Sequence, residues 1–530
     1  MKRIDAVELE LFRNRLSAVS EEMGAVLAQA AFSPNIKERR DFSCAVFDSG
    51  GAMVTHAAHI PVHLGSTPLS VRAAIDRYPK LEAGDVVIVN DPYAGGTHLP
   101  DVTVVAPVVP PGMRRPFAYV ANRAHHADVG GASPGSMALS SEIHQEGFRI
   151  PPVLLCRGWQ PVRATLDLFL ANTRVEEERR GDLDAQIAAL QVGAARIVDL
   201  AQRFGKGRLE AAMAALQDYS ERLIRRFVAT LPNGRWAATD ELDGDGIDPQ
   251  PVPIAVAIER RRGRLIVDFA GSAPQVRGPL NANLAVTTSA VFYVVACLAG
   301  RDVPANDGMM RPVEVRAPEG SVVNCTFPAA VAGGNVETSQ RIVDVLLRAL
   351  APALPDRVPA AACGTMTNLA LGGFDPIRRR YFSYYETIAG GAGGGPTRAG
   401  TPAIQTHMTN TRNTPVEVLE SYYPLRVRHY RIRRGSGGKG VHRGGDGIDR
   451  AIELLADAEV TLLADRRTNG PYGLAGGQAG KAGIDSVRIG ARSVRLPSKT
   501  NTTLEAGSCI RLRTPGGGGW GSPPPGTRNK

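Results

Sequence analysis

Residues 90–131 read NDPYAGGTHLPDVTVVAPVV, a short spacer, then FAYVANRAHHADVGG. His98 and Asp101 stand three apart beyond the Gly95-Gly96 turn, and His125, His126 and Asp128 come after a further apolar run. Imidazoles and carboxylates converging from neighbouring loops make a mixed nitrogen and oxygen donor set. Such a set suits Zn, Mn or Fe and leaves positions open for substrate or water. Taken singly, Asp91 and Asp101 would be turn caps and the His pair surface residues. Three of the ten His of the chain fall here, however, so the cluster reads as a metal or catalytic site.

The elements that must carry this set are short β-branched runs at 86–89, 102–105 and 117–120, bounded by Gly, Pro and Asp. Such runs predict buried strands with polar groups at their ends. Upstream, Leu9, Phe12, Leu16, Val19, Met23, Val26 and Ala30 recur at three- and four-residue steps, which predicts a long helix stopped by Pro34. The charged words NIKERRD then read as a solvated helix end before a strand at 45–47. Asp41, entering that strand, is placed toward the same site as His98. His56, His59 and His63 lie in HAAHIPVH, but Pro61 breaks the helix that would align them. They read as cleft-lining groups that could handle protons rather than as a second metal site.

Further on, apolar spacing from 185 to 227 around Gly205-Lys206-Gly207 predicts a helical hairpin, with a boundary at 231–234. Runs at 254–258 and 265–269 predict a β-hairpin, 285–298 an apolar helix or strand, and RPVEVRAPEGSVVNC two further strands. Gly333-Gly334-Asn335 precedes a helix carrying Ile342, Val345 and Leu350. Free N–H groups at such a start can hold an anion or oxyanion, the alternative being an ordinary cap. Asn335, Glu337 and Thr338 are therefore candidate substrate-binding residues. A run like GGAGGG is generically a linker, yet its flanks hold Tyr385, Glu386, Thr406, His407, Thr409, Asn410 and Glu420. Short strands and turns from 431 onward predict a β-rich close, with a disordered tail at 524–530.

The 530 residues predict several subdomains of a mixed α/β fold: 1–234 around the metal-site region, 235–370 as a central α/β region, and 371–523 as a Gly-rich and β-rich region. Hydrophobic residues at 43% and charged at 22% fit a soluble globular enzyme. No run of about twenty apolar residues could span a bilayer, and acidic residues interrupt the N-terminus where a signal peptide needs an apolar core, so the expected compartment is the cytoplasm. Six scattered Cys without a CxxC pair indicate neither a disulfide framework nor a thiolate zinc site. A net charge of +10 with only 5% aromatics points to an anionic substrate or acidic partner subunit rather than nucleic acid. GLAGGQAGKAG is not a phosphate loop, since Ala475 and Ala482 occupy the first Gly and the magnesium-binding positions, and no GxSxG elbow is present.

NDPYAGGTHLPDV, HHADVGG, PQVRGPLNA, PAAVAGGNVETSQRIVD, YYETIAGGAGG and TPGGGGWG, in that order over residues 4–523, resemble the hydantoinase B/oxoprolinase family. That family includes the B subunit of ATP-dependent N-methylhydantoinase, the C-terminal half of 5-oxoprolinase and alpha-type subunits of acetone and acetophenone carboxylases. The resemblance implies a hetero-oligomer in which a separate A-type ATPase subunit uses ATP to phosphorylate the substrate's carbonyl or enol oxygen. This chain would then open a cyclic amide. The carboxylation of a phosphorylated enol, or a noncatalytic scaffold for the ATPase, are the rival expectations. The resemblance also implies a divalent metal ion on His98, Asp101 and the later His, with His125 favoured over His126. Asp41 and Asp128 are candidates for a fourth ligand or for orienting a His, and Glu386 or a cleft His such as His126 for general acid–base work.

Overall fold

A computed structural model describes residues 4–57, 60–300 and 302–523; His59 and the tail 524–530 lie outside the described residues. The N-terminal periodicity becomes helix α1 (Ala6–Ala30). Asp5 caps it: its carboxylate accepts from the Glu8 N–H while the Glu8 side chain accepts from the Asp5 N–H. This reciprocal pair satisfies two donors that a helix start leaves free. Pro34, whose fixed φ suits a first helical position, opens the short helix α2 (Pro34–Lys37).

Seven antiparallel strands form the first sheet in the order β2-β1-β5-β4-β3-β6-β7. They are β1 (Phe42–Asp48), β2 (Met53–His56), β3 (Val86–Val89), β4 (Asp101–Val108), β5 (Ala118–His125), β6 (Val153–Arg157) and β7 (Gln160–Pro161). Both faces are covered, which is why the strands read as continuous apolar runs rather than alternating ones. Val46, Val104 and Val120 pack into a core with α1 and the helix Glu176–Phe204. Phe47, Val105 and Ala121, one position out of phase, join a second core with helices Leu284–Ala299 and Ser339–Leu350. The sheet thus separates the N-terminal helices from the central region. The predicted helical hairpin is formed by Glu176–Phe204 and Lys206–Thr230, turning at Gly205.

The second sheet comprises β8 (Gly234–Leu242), β9 (Val252–Arg261), β10 (Arg264–Asp268) and β11 (Val313–Arg316), with β11 parallel to β10 and the rest antiparallel. The predicted hairpin is β9-β10. The ambiguous run at 285–298 is helix Leu284–Ala299, capped by the Asn283 side chain on the Val286 N–H at 3.0 Å. Of the two strands expected in residues 311–325 only β11 forms; Ser321 makes isolated bridges to Pro274 and Asn324, since Pro318 and Gly320 punctuate the segment. Strands β12 (Asn368–Asp375) and β13 (Arg380–Thr387) join Ala458–Leu463 and Lys499–Leu504 in a third sheet. Leu425–Arg433, Gly447–Leu454, Cys509–Arg513, Ile484–Ile489 and Arg492–Arg495 form a fourth. The fold is mixed α/β with a β-rich C-terminal region, as the sequence predicts.

The Gly-rich segments are neither sheet nor linker. The Gly394 N–H donates to the Gly518 carbonyl and the Gly518 N–H to Ala361, each at 2.8 Å; Gly517 donates to Gly445 at 2.9 Å and Gly445 to Ala392 at 2.8 Å. Extended backbones from several parts of the last third thereby bond to one another directly. Such close approach excludes side chains: a Cβ on Gly518 would overlap the Tyr472 carbonyl oxygen. This bundle ties the segment that follows β13 to Gly445 and Gly518, and through Gly518 to Ala361.

Candidate active site

Antiparallel pairing of β4 with β5 sets Asp101 directly opposite His125. Asp101 shares the face of Val105, and His125 that of Ala121, so both point toward the central region. His126 falls on the opposite face, its Nε2 2.9 Å from Gln186 Oε1 and its ring edge-on to Phe169. From the loop before β4, His98 brings its Nε2 to 3.4 Å from Asp101 Oδ2. His63 brings its own Nε2 to 3.4 Å from the same oxygen, while its Nδ1 lies 2.8 Å from Ser43 Oγ on β1. The Thr97 hydroxyl donates to that carboxylate at 2.5 Å, and Asn335 Nδ2 lies 3.5 Å from it. Asp41, His63, Asp101, His125, Asn335 and Tyr385 line a cavity of about 20 Å³, roughly room for one water molecule.

Burial alone would raise the Asp101 carboxyl, but the His98 and His63 imidazoles outweigh it and hold it well below the usual carboxylate range. Burial pulls His63 down and His125 far down, so both rings are neutral and able to offer a lone pair. Burial pushes Asp41 up to about 7, with Arg39 opposing. Both ring nitrogens of His98, Nε2 of His125 and Oδ1 of Asn335 are buried without a hydrogen-bond partner. Each such orphan costs on the order of 1–3 kcal/mol, so their concentration around Asp101 calls for a ligand. The spacing suits a cation: ligand atoms about 2.1 Å from a shared tetrahedral ion stand roughly 3.4 Å apart. The two Nε2···Oδ2 separations match that and are too long for good hydrogen bonds. Among the described residues no group of three or more His, Cys, Asp and Glu closes around one metal position. The donors are gathered without fully converging.

Two supporting residues, Asn35 and Arg39, were hidden in the sequence, and Tyr385 is one of the polar residues expected beside the Gly-rich run. The Asn35 amide donates to the His125 carbonyl at 2.8 Å and lies 3.0 Å from its Nδ1, which turns Nε2 into the cavity. Arg39, expected at a solvated helix end, is fully buried. It donates to Asn35 Oδ1, to the Tyr385 carbonyl at 2.8 Å and to Thr387 Oγ1 at 3.1 Å, and stands 3.7 Å from Asp41. Tyr385 stacks on His125 with ring centroids 4.5 Å apart. A charge run signals solvent only while no distant strand arrives to cover it; the four-residue spacing of Asn35 and Arg39 after Pro34 is the one local hint that both share a side of a turn.

Other expected residues lie elsewhere. Glu386 sits between Tyr385 and Thr387 on β13 and therefore faces away from the cavity, 3.2 Å from Arg450 and accepting from the Tyr384 hydroxyl at 2.8 Å. Asp128 accepts from the Gly130 and Gly135 N–H groups at 2.8 and 3.1 Å and from Arg174 at 3.0 Å, so it organises its own loop. Glu337 accepts from the Met366 N–H at 3.1 Å and Asn368 Nδ2 at 2.8 Å, and the Thr338 hydroxyl donates to Leu280. The expected open helix start is a π-helical turn, Gly334–Thr338, running into Ser339–Leu350. Its Gly334 and Asn335 N–H groups are taken by Pro279 and Val331, at 2.8 and 3.2 Å, so they hold no oxyanion. Only the Asn335 side chain reaches the cluster. His56 lines a separate surface pocket with Arg13 and Thr55, whereas His63 is the cleft residue that joins the site.

The sequence model of the hydantoinase B/oxoprolinase family matches residues 5–523. 5-Oxoprolinase 1 of Arabidopsis thaliana is 39% identical over 98% of this chain, which spans 42% of that longer protein. A putative D-/L-hydantoinase B subunit of a Pseudomonas species is 33% identical, with 99% of this chain and 91% of that one covered. The solved ATP-dependent caprolactamase of Pseudomonas jessenii superposes with a TM-score of 0.91 at 27% identity, over 99% of this chain and 93% of that one. Acetone carboxylase shares the fold, with a TM-score of 0.89 at 18% identity over 97% of this chain and 76% of that one. Among the described residues no helix is long and apolar enough to cross a membrane. With nearly every residue inside the family match and the fold shared with its solved relatives, the chain belongs to the hydantoinase B/oxoprolinase family.

Proposed function

We propose that this chain is the hydrolytic B-type subunit of an ATP-dependent enzyme that opens a cyclic amide, such as a hydantoin, 5-oxoproline or a related lactam. A partner ATPase subunit would phosphorylate the ring first. The observation that carries this reading is the ring of buried imidazoles around Asp101, in which His98 and His125 keep unpartnered nitrogens beside that carboxylate. The relatives support the substrate class, since oxoproline, hydantoin and caprolactam share a ring C–N amide bond. The similarity to a hydantoinase component that is itself one subunit of a larger enzyme supports a partner.

His98, Asp101 and His125 would hold a divalent ion of the Zn, Mn or Fe kind, with Asp41 as fourth ligand and His63 beside them. Such an ion, when bound, polarises a carbonyl or lowers the pKa of a bound water. The chain's own groups do the positioning. Thr97 and Asn335 hold the Asp101 carboxylate, Asn35 and Tyr385 hold the His125 ring, and burial excludes bulk water from all of them.

The test is co-expression with an ATPase-type partner, followed by chromatography of 5-oxoproline, hydantoin or caprolactam incubated with ATP and bicarbonate. ATP-dependent ring opening is expected; product that has gained carbon would sink the hydrolase assignment. Metal analysis of the His98→Ala, Asp101→Ala double variant should show loss of the ion with the fold retained. Unchanged metal content would remove the ligand assignment.

A further inference from the structure

The inner cavity of about 20 Å³ cannot contain a substrate ring, which needs on the order of 100 Å³. A cavity of about 660 Å³ lies next to it, walled by the chain around 356–362, the Gly-rich loop 392–401 and residues 405–410. Thr409 lines both cavities, and Pro61 of the larger sits between Ile60 and Val62 of the smaller. Gln405, on the larger wall, donates to Thr387 Oγ1 on the smaller at 3.2 Å.

The larger cavity has a definite chemistry. Two guanidiniums, Arg357 and Arg398, line it against one carboxylate, Asp356. Arg357 is anchored by its Nη1 on the Leu298 carbonyl at 3.1 Å. Arg398 is carried on the bundle-held loop and is exposed, so its backbone is fixed while its side chain can meet a ligand. His407, edge-on to Tyr293 and 3.5 Å from Asp344, gives the wall a flat, half-polar face. Beyond it Asn410 also lines a third cavity of about 360 Å³ that carries Arg40 and Arg412. A guanidinium pairs with carboxylate or phosphoryl oxygens through two parallel N–H···O bonds, a geometry that a neutral ring cannot use.

We infer that the larger cavity is the substrate chamber and that it selects a ring bearing an anionic group, a carboxylate or a phosphoryl group, which Arg398 and Arg357 bind. The inference rests on the cyclic-amide reading above and adds the charge of the substrate to it. The anion sits at the Arg398 end, and the ring lies along Tyr293 and His407 toward Thr409.

The experiment is calorimetric titration of the purified full chain with 5-oxoproline, with 2-pyrrolidone, the same ring without the carboxylate, and with inorganic phosphate. 5-Oxoproline is expected to bind about tenfold or more tightly than 2-pyrrolidone. Arg398→Ala should abolish that preference without changing 2-pyrrolidone binding, and Arg398→Lys should restore part of it. Arg398 is exposed, so these variants fold. If phosphate binding rather than the carboxylate preference depends on Arg398, the anion is the phosphoryl group and the chamber stands. If neither anion binds, or neither depends on Arg398, the inference is overturned. Anion binding that tracks Arg398 without ring opening under any condition would instead remove the hydrolase reading and leave the chamber.

Discussion

His125 and His126 differ by one position and by a whole face of the sheet, because successive side chains on β5 point to opposite sides. Their substitutions should therefore part company. Under the proposed function, His125→Ala is expected to lose a metal ion and ring-opening activity together. His126→Ala should cost about 1–3 kcal/mol of stability through its Gln186 contact and Phe169 packing, while metal per folded chain stays as in the wild type. Elemental analysis beside thermal unfolding separates the two, and equal metal loss in both would mean that the strand register is misassigned. The same alternation governs Glu386. Its carboxylate faces Arg450, a fully buried guanidinium, so Glu386→Gln breaks a buried pair at a cost of about 3–5 kcal/mol. A variant that unfolds at the wild-type temperature yet fails to turn over would return Glu386 to the role of base.

Among the larger elements, the glycine bundle is the one whose behaviour departs most from its composition. Gly-rich stretches usually mean mobility, but here backbone hydrogen bonds between segments far apart in the chain leave no room for a Cβ. Gly518→Ala should therefore destabilise the chain by more than about 3 kcal/mol, seen as a lowered unfolding temperature or insoluble protein. Gly395 lies in the same bundle, but a Cβ there would meet only ordinary contacts, 3.8 Å from the Arg398 carbonyl and 4.0 Å from Pro359. Gly395→Ala should be tolerated. Equal tolerance at both positions would show that the segments are not packed as described. The π-helical turn at Gly334–Thr338 acts in the same positioning sense: its wider winding brings the Asn335 side chain to Asp101.

Across the molecule, buried acids make stability depend on pH. Burial pushes Glu146 and Glu337 up to about 7 from an ordinary 4.5. Each keeps its proton in the folded chain while the unfolded chain loses it, so the folded state binds more protons and stability falls as pH rises from about 4.5 to 7. The slope is roughly 1.4 kcal/mol per pH unit for each group. Burial opposes, but Arg341 and Arg466 overcome it and hold Asp240 down to about 2; its contribution is lost only as pH falls below about 4, outside that window. Asp41, raised by burial to about 7, adds to the fall with rising pH, while His63, His125 and His126, lowered by burial, oppose it, so the difference between variants is the measure. Followed by thermal unfolding from pH 5 to 7, the Glu146→Gln, Glu337→Gln variant should lose less stability than the wild type. A slope unchanged by the two amides would assign the pH dependence to other groups.

Local signals were enough for the helix α1, the strands around 86–89, 102–105 and 117–120, the helical hairpin and the grouping of His98 and Asp101 with the His125-His126 pair, because β-branched runs and three- to four-residue periodicity are written within a few residues of where they act. The assignment of His125 rather than His126 to the cavity needed the pairing of β4 with β5, and the burial of Arg39 needed β13 to arrive from almost 350 residues away. His63 joined the site, and Glu386 and Asp128 did not, for the same reason. Periodicity says that a residue has a face; only the partner strands, through register and hydrogen bonds between distant segments, decide what that face meets.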